Sequence, residues 1–414
     1  MARAMKDSGI AWIGEIPEDW TCCKQKHLIT LINGRAYSDD EFEEDGKYRI
    51  LRVGNLFTNS KWYTSSMELD ADKYCDAGDL IYAWSASYGP AIWNGEKVIY
   101  HYHIWKVELS AKLSKMFAYY YLLALTTNIS IESHGSAMAH VTMQNMNNSY
   151  IAFPQMEEQI RIAAYLDTEC ARIDVVIEQT RASIEEYKKL KQAVITQAVT
   201  KGIRPNRQMK DSGVEWIAKI PEEWNVLRGK WLFHETDERS EDGSEELLTV
   251  SHITGITPRN QKNVSMFMSE SLVGYKICRV NDIAANTMWM WQGAIGVSKY
   301  HGVISPSYNT YRQTNNQYNP DYLDYLLRIS PLVDTYNANS TGITASRLRL
   351  YPDRFLSILF PIPPMNEQVE IAAYLNEKIG EVEKLIGKKE QYLSELENYK
   401  KSMIFEYVTG KKEA

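Results

Sequence analysis

Few residues in this 414-residue chain are spaced for catalysis. His101 and His103 alternate along an aromatic run and would share one face of a strand, as metal ligands can. No third ligand stands near them, so no metal site is expected. The acidic run DDEFEED at 39–45 lacks the lysine–carboxylate frame of a nuclease and reads as a solvated loop. Asn319-Pro320-Asp321-Tyr322 has the residue types with which an amide and a backbone carbonyl could hold an exocyclic amine. Helix opening explains it better, with Asn319 as the cap and Pro320 in the first turn; Ser114 holds the same place in the first half. No G-x-x-x-x-G-K-[ST] run and no glycine-rich turn after a strand is present, so neither a nucleotide nor another cofactor is expected on this chain. The cysteines Cys22, Cys23, Cys75, Cys170 and Cys278 are odd in number and form no C-x-x-C pair. A disulfide framework or zinc site is therefore not expected, and a reducing cytoplasm is.

The chemistry left is recognition, and the chain is built to do it twice. Residues 5–20 read MKDSGIAWIGEIPEDW and residues 209–224 read MKDSGVEWIAKIPEEW, identical at eleven of sixteen positions. A second pair, MEEQIRIAAYLD at 156–167 and MNEQVEIAAYLN at 365–376, follows at nearly the same offset. The chain is thus two copies of one unit, each a variable body and then a more uniform segment. Length alone already requires more than one core. With 44% hydrophobic and 24% charged residues the composition is that of a globular protein. A net charge of −7 means that any basic surface must be local. No run approaches the ~18 apolar residues of a membrane helix, so no membrane partner is expected.

The uniform segments have coiled-coil spacing. Leu166, Cys170, Ile173, Ile177, Thr180, Ile184, Tyr187, Lys191, Val194 and Ala198 follow steps of four and three. So do Leu375, Ile379, Val382, Ile386, Lys389, Leu393, Leu396, Lys400, Met403 and Tyr407. Polar layers recur at Thr180/Lys389 and Lys191/Lys400. About 45 residues at ~1.5 Å rise make each helix roughly 65 Å long, and such a helix needs a partner. The other copy is the nearest one, in an antiparallel pair with one body at each end. Gly202 with Pro205, and Gly410, end the helices.

The bodies read as mixed and strand-rich. Strands are predicted in 47–56, 78–85, 98–109, 246–256, 281–291 and 307–313, with helices over 114–125 and 319–329. Proline-marked strands at 150–159 and 359–368 deliver the chain into the long helices. Trp12, Ile13, Ile16, Pro17 and Trp20, with Trp216, Ile217, Ile220, Pro221 and Trp224, are expected to lock each body to the helix pair. The predicted class is α+β, in four segments: bodies at 1–153 and 205–361, long helices at 154–204 and 362–414.

The WIGEIPEDW and WIAKIPEEW blocks and the two P-x-M-x-E-Q-x-x-I-A-A-Y-L helix entries together resemble the specificity subunit of type I restriction–modification systems. The resemblance covers essentially the whole chain. It implies two pseudo-symmetric target recognition domains, each reading half of a split double-stranded DNA sequence. It also implies an antiparallel coiled coil that sets the spacer and docks two methyltransferase subunits, with restriction subunits joining the full complex. S-adenosylmethionine, ATP and Mg would then belong to those partners, and this chain would be non-catalytic.

Base edges are read by hydrogen bonds, and phosphates only position the protein. The candidates in the first body are Arg52, Asn55, Ser85, Ser87, Tyr88, His134, Ser136 and His140. In the second they are Ser251, His252, Arg259, Trp291, Gln292, Arg347 and Arg349. A coiled-coil scaffold that binds only protein is the alternative, and an enzyme in its own right a further one. The bases recognised do not follow from the sequence, because DNA deformation contributes as well as contact.

Overall fold

The computed structural model describes residues 3–58, 60–85, 87–132, 141–261, 271–342 and 348–414, with side chains undescribed at 130–132. The chain divides into two compact units, Met1–Arg181 with Gln391–Ala414, and Ala182–Glu390. Each gathers one body and portions of both long helices, Met156–Lys201 and Met365–Val408.

In the first unit a hairpin (Met5–Asp7 with Glu15–Pro17) precedes a four-stranded antiparallel sheet. The sheet's order is Ile29–Asn33, Ile104–Leu109, Leu80–Ala83, Gly89–Ile92. A second sheet runs Tyr63–Ser65, Tyr48–Leu51, Val98–Tyr100, Tyr74–Cys75. Helix Lys115–Glu132 packs beside the first sheet, and Thr21–Lys24 pairs with Tyr150–Phe153 just before the long helix. The second unit repeats the plan. Its hairpin is Met209–Asp211 with Lys219–Pro221, and its sheet runs Phe233–Thr236, Asn309–Gln313, Ile283–Ala285, Ile295–Val297. Asn225–Arg228 pairs with Leu359–Ile362 at the helix entry.

Several predicted strands are shorter or broken. The run 47–56 is a strand only over Tyr48–Leu51 and then turns into the helix Val53–Phe57. Residues 98–109 form two strands, so His101 and His103 sit on a turn and not on one strand face. The run 246–256 is a hairpin, Leu248–Ser251 with Gly255–Pro258. In 281–291 only Ile283–Ala285 is strand, and Met290–Gln292 forms a 3-10 turn. Asn319 caps its helix as expected, its side chain accepting from the amides of Asp321 and Tyr322.

The seam residues are buried or half-buried throughout, while most positions between them face solvent. In the first unit Leu166, Cys170, Ile173 and Ile177 share a core with Leu393, Leu396, Met403 and Tyr407. In the second, Val194 and Ala198 share one with Leu375 and Ile379. Ile184, Tyr187, Val382 and Ile386 hold the intervening layers, Ile184 only 5% exposed. Each polar layer has a local answer. Lys400 reaches Asp174 at 2.6 Å and Lys191 reaches Glu383 at 2.6 Å. Lys389 lies 5.7 Å from the Tyr187 ring, and the Thr180 hydroxyl donates to the Val176 carbonyl. Within each unit these pairings run in opposite chain directions, Arg181 to Glu397 with Asp174 to Lys400 in one, Lys191 to Glu383 with Arg204 to Glu370 in the other.

What fastens each body to its helices is a cluster that occurs in both units. Glu158 accepts from the Arg3 guanidinium at 2.5 Å and from the Trp20 indole at 3.4 Å. Glu367 accepts from Arg207 and, at 3.0 Å, from the Trp224 indole. The adjacent glutamines each bind three backbone groups. Gln159 accepts from the Ser114 amide and donates to the carbonyls of Lys112 and Pro154. Gln368 accepts from the Asn319 amide and donates to those of Gln317 and Pro363. The glutamines thereby satisfy helix-end amides that would otherwise be orphaned. Tyr120 donates to Asp167 at 2.7 Å, and Tyr325 to Asn376 at 2.9 Å, repeating the link about two turns further along. Trp20 and Trp224 are almost fully buried, and Ile13, Ile16, Ile217 and Ile220 pack beside them. The opening blocks are therefore packing elements.

Candidate nucleic-acid interface

Three segments of the first body converge beside the turn His101–His103. The Trp84 amide donates to the His103 carbonyl at 3.1 Å and its indole to the Tyr102 carbonyl at 2.8 Å. The His101 amide donates to the Leu51 carbonyl at 2.9 Å, and the Tyr102 amide to the Arg35 carbonyl at 3.0 Å. Gly34 permits this approach, because a Cβ there would lie 2.4 Å from the carbonyl oxygens of Tyr100 and His101. Arg52 directly follows the strand that carries Leu51, and its guanidinium lies 5.0 Å from the Tyr63 ring. Ser85 follows Trp84, so two of the candidate segments flank one turn.

The rings there form a continuous array. Trp84 meets His103 edge-on at 5.0 Å, and His101 lies 4.8 Å from His103. Behind them Trp84, Trp105 and Tyr82 stack at 5.9 and 5.8 Å. Burial, then the neighbouring His103 and Arg52, pushes the His101 imidazole down to about 4. His103 is lowered by burial and by Arg52. Both rings are neutral near pH 7, each with one donor and one acceptor nitrogen.

Other candidates of this body have structural work. The Asn55 side chain accepts from the Arg52 amide and donates to the Lys61 carbonyl, shaping the loop. Ser87 is exposed, and Tyr88 packs against the core. His134, Ser136 and His140 lie outside the described residues.

In the second body the equivalent loop, 286–294, carries Trp291 and Gln292. Trp289, 47% exposed, stacks on Trp291 at 6.2 Å and 18°. Asn286 donates to the Tyr308 hydroxyl at 2.8 Å, and the positive charge of Arg259 bears on that phenol. Arg349 lines a cleft of ≈ 320 Å³ with Thr287, Met288 and Ser307. Arg259, Trp291, Gln292 and Arg349 therefore share one neighbourhood. Ser251 and His252 do not join it. They form a hairpin turn, and His252 lines a different cleft of ≈ 830 Å³ with Lys188, Arg328, Asn376 and Glu383. Arg347 lies outside the described residues.

Sequence reasoning missed Trp84, His101, Tyr102 and Trp289. The histidines were weighed only as metal ligands, and the described residues hold no group of three or more metal-ligating side chains. Nor do they include a helix long and apolar enough to cross a membrane.

Each unit carries a body on the same plan, fastened to a pair of long helices and bearing an aromatic, polar loop. Residues 17–186, which include most of the first body and the first part of its long helix, match the family described as Type I restriction modification DNA specificity domain. The chain is similar to the EcoBI type I restriction enzyme specificity subunit of Escherichia coli, 23% identical over 54% of this chain and 48% of that one. It is likewise similar to the MjaVIII specificity subunit of Methanocaldococcus jannaschii, 27% identical over 52% of this chain and 49% of that one. The chain thus spans about half the length of these two relatives. A solved structure concerned with complex assembly and conformational transition of the type I R-M system shares the fold. Its TM-score is 0.67 at 15% identity, covering 95% of this chain and 98% of that chain. In sequence and in fold, the chain resembles a type I specificity subunit.

Proposed function

We propose that this chain is the DNA sequence-specificity subunit of a type I restriction–modification enzyme. Each body reads one half of a bipartite target, and the helix pair sets the number of unread base pairs between the halves. The helices also dock two methyltransferase subunits and, through them, restriction subunits. S-adenosylmethionine, ATP and Mg act on those partners, and this chain is a non-catalytic cytoplasmic reader with recognition bodies at 1–153 and 205–361.

The observation that carries this reading is the doubled body, each copy tied by the same Arg–Glu–Trp cluster to a helix pair whose register repeats. A scaffold needs no second body with a different surface, whereas a split sequence needs two readers. Within the bodies, Arg52 and Ser85, and Arg259, Trp291, Gln292 and Arg349, are the groups best placed to face DNA. The chain is to be purified with its methyltransferase and the methylated sites mapped on genomic DNA. A two-part motif with a fixed gap supports the reading, and methylation without such a motif refutes it.

A further inference from the structure

Resting on the reading of the first body as a DNA reader, we infer that its His101–Tyr102–His103 turn, with Arg52 beside it, is a base-reading element suited to the acceptor edge of guanine. Neither the heptads nor the opening blocks point to this turn; its geometry does. Its backbone is fixed from three sides, by Leu51, Arg35 and Trp84, and it closes on itself where the Ile104 amide donates to the His101 carbonyl at 2.9 Å. Packed behind it, Trp84, Trp105 and Tyr82 hold the side chains against collapse.

On this rigid base the polar tips are left over. Among the described residues, no hydrogen bond is made by the Arg52 guanidinium, which rests on the Tyr63 ring, by the Tyr102 hydroxyl or by the His103 ring nitrogens, whereas the backbone amides of Arg52, His101, Tyr102 and His103 are all bonded. Arg52 is exposed and Tyr102 is 39% exposed. A turn needs no such groups for stability, and a rigid turn with spare donors is what a positioned reader requires.

The chemistry of those donors narrows the ligand. Arg52 donates only, and neutral histidine and tyrosine each offer one donor. In the major groove guanine presents two adjacent acceptors, O6 and N7, whereas the other bases present at most one acceptor beside a donor or a methyl group. Low imidazole basicity fits this role, since a neutral ring reads an edge without acting as a general phosphate magnet. Phosphate binding by Arg52 alone is the competing outcome, and it differs in its sequence dependence.

The test uses the complex of the full chain with its methyltransferase, comparing wild type with Arg52→Ala, His103→Ala and Tyr102→Phe by methylated-site mapping and by binding to duplexes substituted one base pair at a time. The expected result is a G·C pair in one half of the wild-type motif at which R52A and H103A lose ~10–100-fold discrimination, with the other half unchanged. Y102F, which keeps the ring and cannot unfold the turn, should relax the same half more weakly. If affinity falls equally on every duplex and the motif stays intact, the turn positions phosphate and the inference is overturned. It is also overturned if the motif keeps its full stringency in all three variants. A wild-type complex without any two-part motif would overturn the underlying function instead, which separates the two failures.

Discussion

Glu158 and Glu367 occupy the same place in the repeated helix entry, yet replacing them should have unequal consequences. The Glu367 side chain is 2% exposed, and its partner Arg207 only 11%. It also accepts the Trp224 indole at 3.0 Å. Glu367→Ala would leave a largely buried guanidinium with only the solvent-exposed Glu223, at 3.1 Å, as its counter-charge, and an indole N–H without an acceptor. Breaking one side of a buried pair costs about 3–5 kcal/mol, and the orphaned N–H is part of that cost, not an addition to it. Glu158 is 16% exposed, Arg3 is 22% exposed and also bound to Asp19, and the Trp20 contact is the longer 3.4 Å. Water and Asp19 can compensate there, so Glu158→Ala should cost about 1–2 kcal/mol. Calorimetry with urea unfolding followed by tryptophan fluorescence would resolve the two units. E367A should lower the midpoint of the Ala182–Glu390 unit by roughly 6–20 °C, on the scale of ~2–4 °C per kcal/mol for a domain of that size. Replacing Arg207 and Glu367 together by methionines should recover most of the loss. Equal effects of E158A and E367A, or a loss under ~1 kcal/mol for E367A, would refute the argument that burial decides the strength of this cluster.

Two further outcomes are expected. His101 has a folded-state value of about 4, below its ordinary 6.5, so the unfolded chain binds the proton more tightly. The stability it confers is complete above pH 6.5 and is lost as pH falls toward about 4. After discounting for a half-exposed ring, the loss is about 1–2 kcal/mol. Urea unfolding of the first unit at pH 7 and 4.5 should show this in wild type and not in His101→Gln; equal losses would place the effect elsewhere. Removing seven residues from each long helix, 180–186 and 388–394, should shorten the gap between half-sites by roughly three base pairs. The basis is ~1.5 Å per helical residue against ~3.4 Å per base step. Half-sites that change while the gap stays fixed would contradict the helices' role in spacing.

The heptads were legible because a seam is a local pattern: nothing beyond spacing is needed to see that Leu166 and Ile173, or Leu375 and Val382, face inward. The polar layers were visible as a pattern too, but not their partners, since Lys400 meets Asp174 across 226 positions of sequence. The E-Q pair was equally visible and its role was not. Gln368 serves one segment before its helix and another around residues 317–319, a meeting that only the fold creates. The turn at His101–His103 escaped notice for a different reason. It contains no glycine, proline or asparagine, and β-formers flank it on both sides, so the run 98–109 reads as one strand. What breaks it is the Trp84 and Leu51 contacts, with room made by Gly34. Candidate readers drawn from loop composition alone consequently included residues as different in setting as Arg52, beside that turn, and His252, in a cleft facing helical residues.

Exchange of residues 205–361 for the corresponding body of another such protein, followed by methylated-site mapping of the complex, tests the independence of the two bodies. The account expects one half of the motif to be rewritten while the other half and the gap persist. A motif changed in both halves, or left unchanged in both, would contradict it.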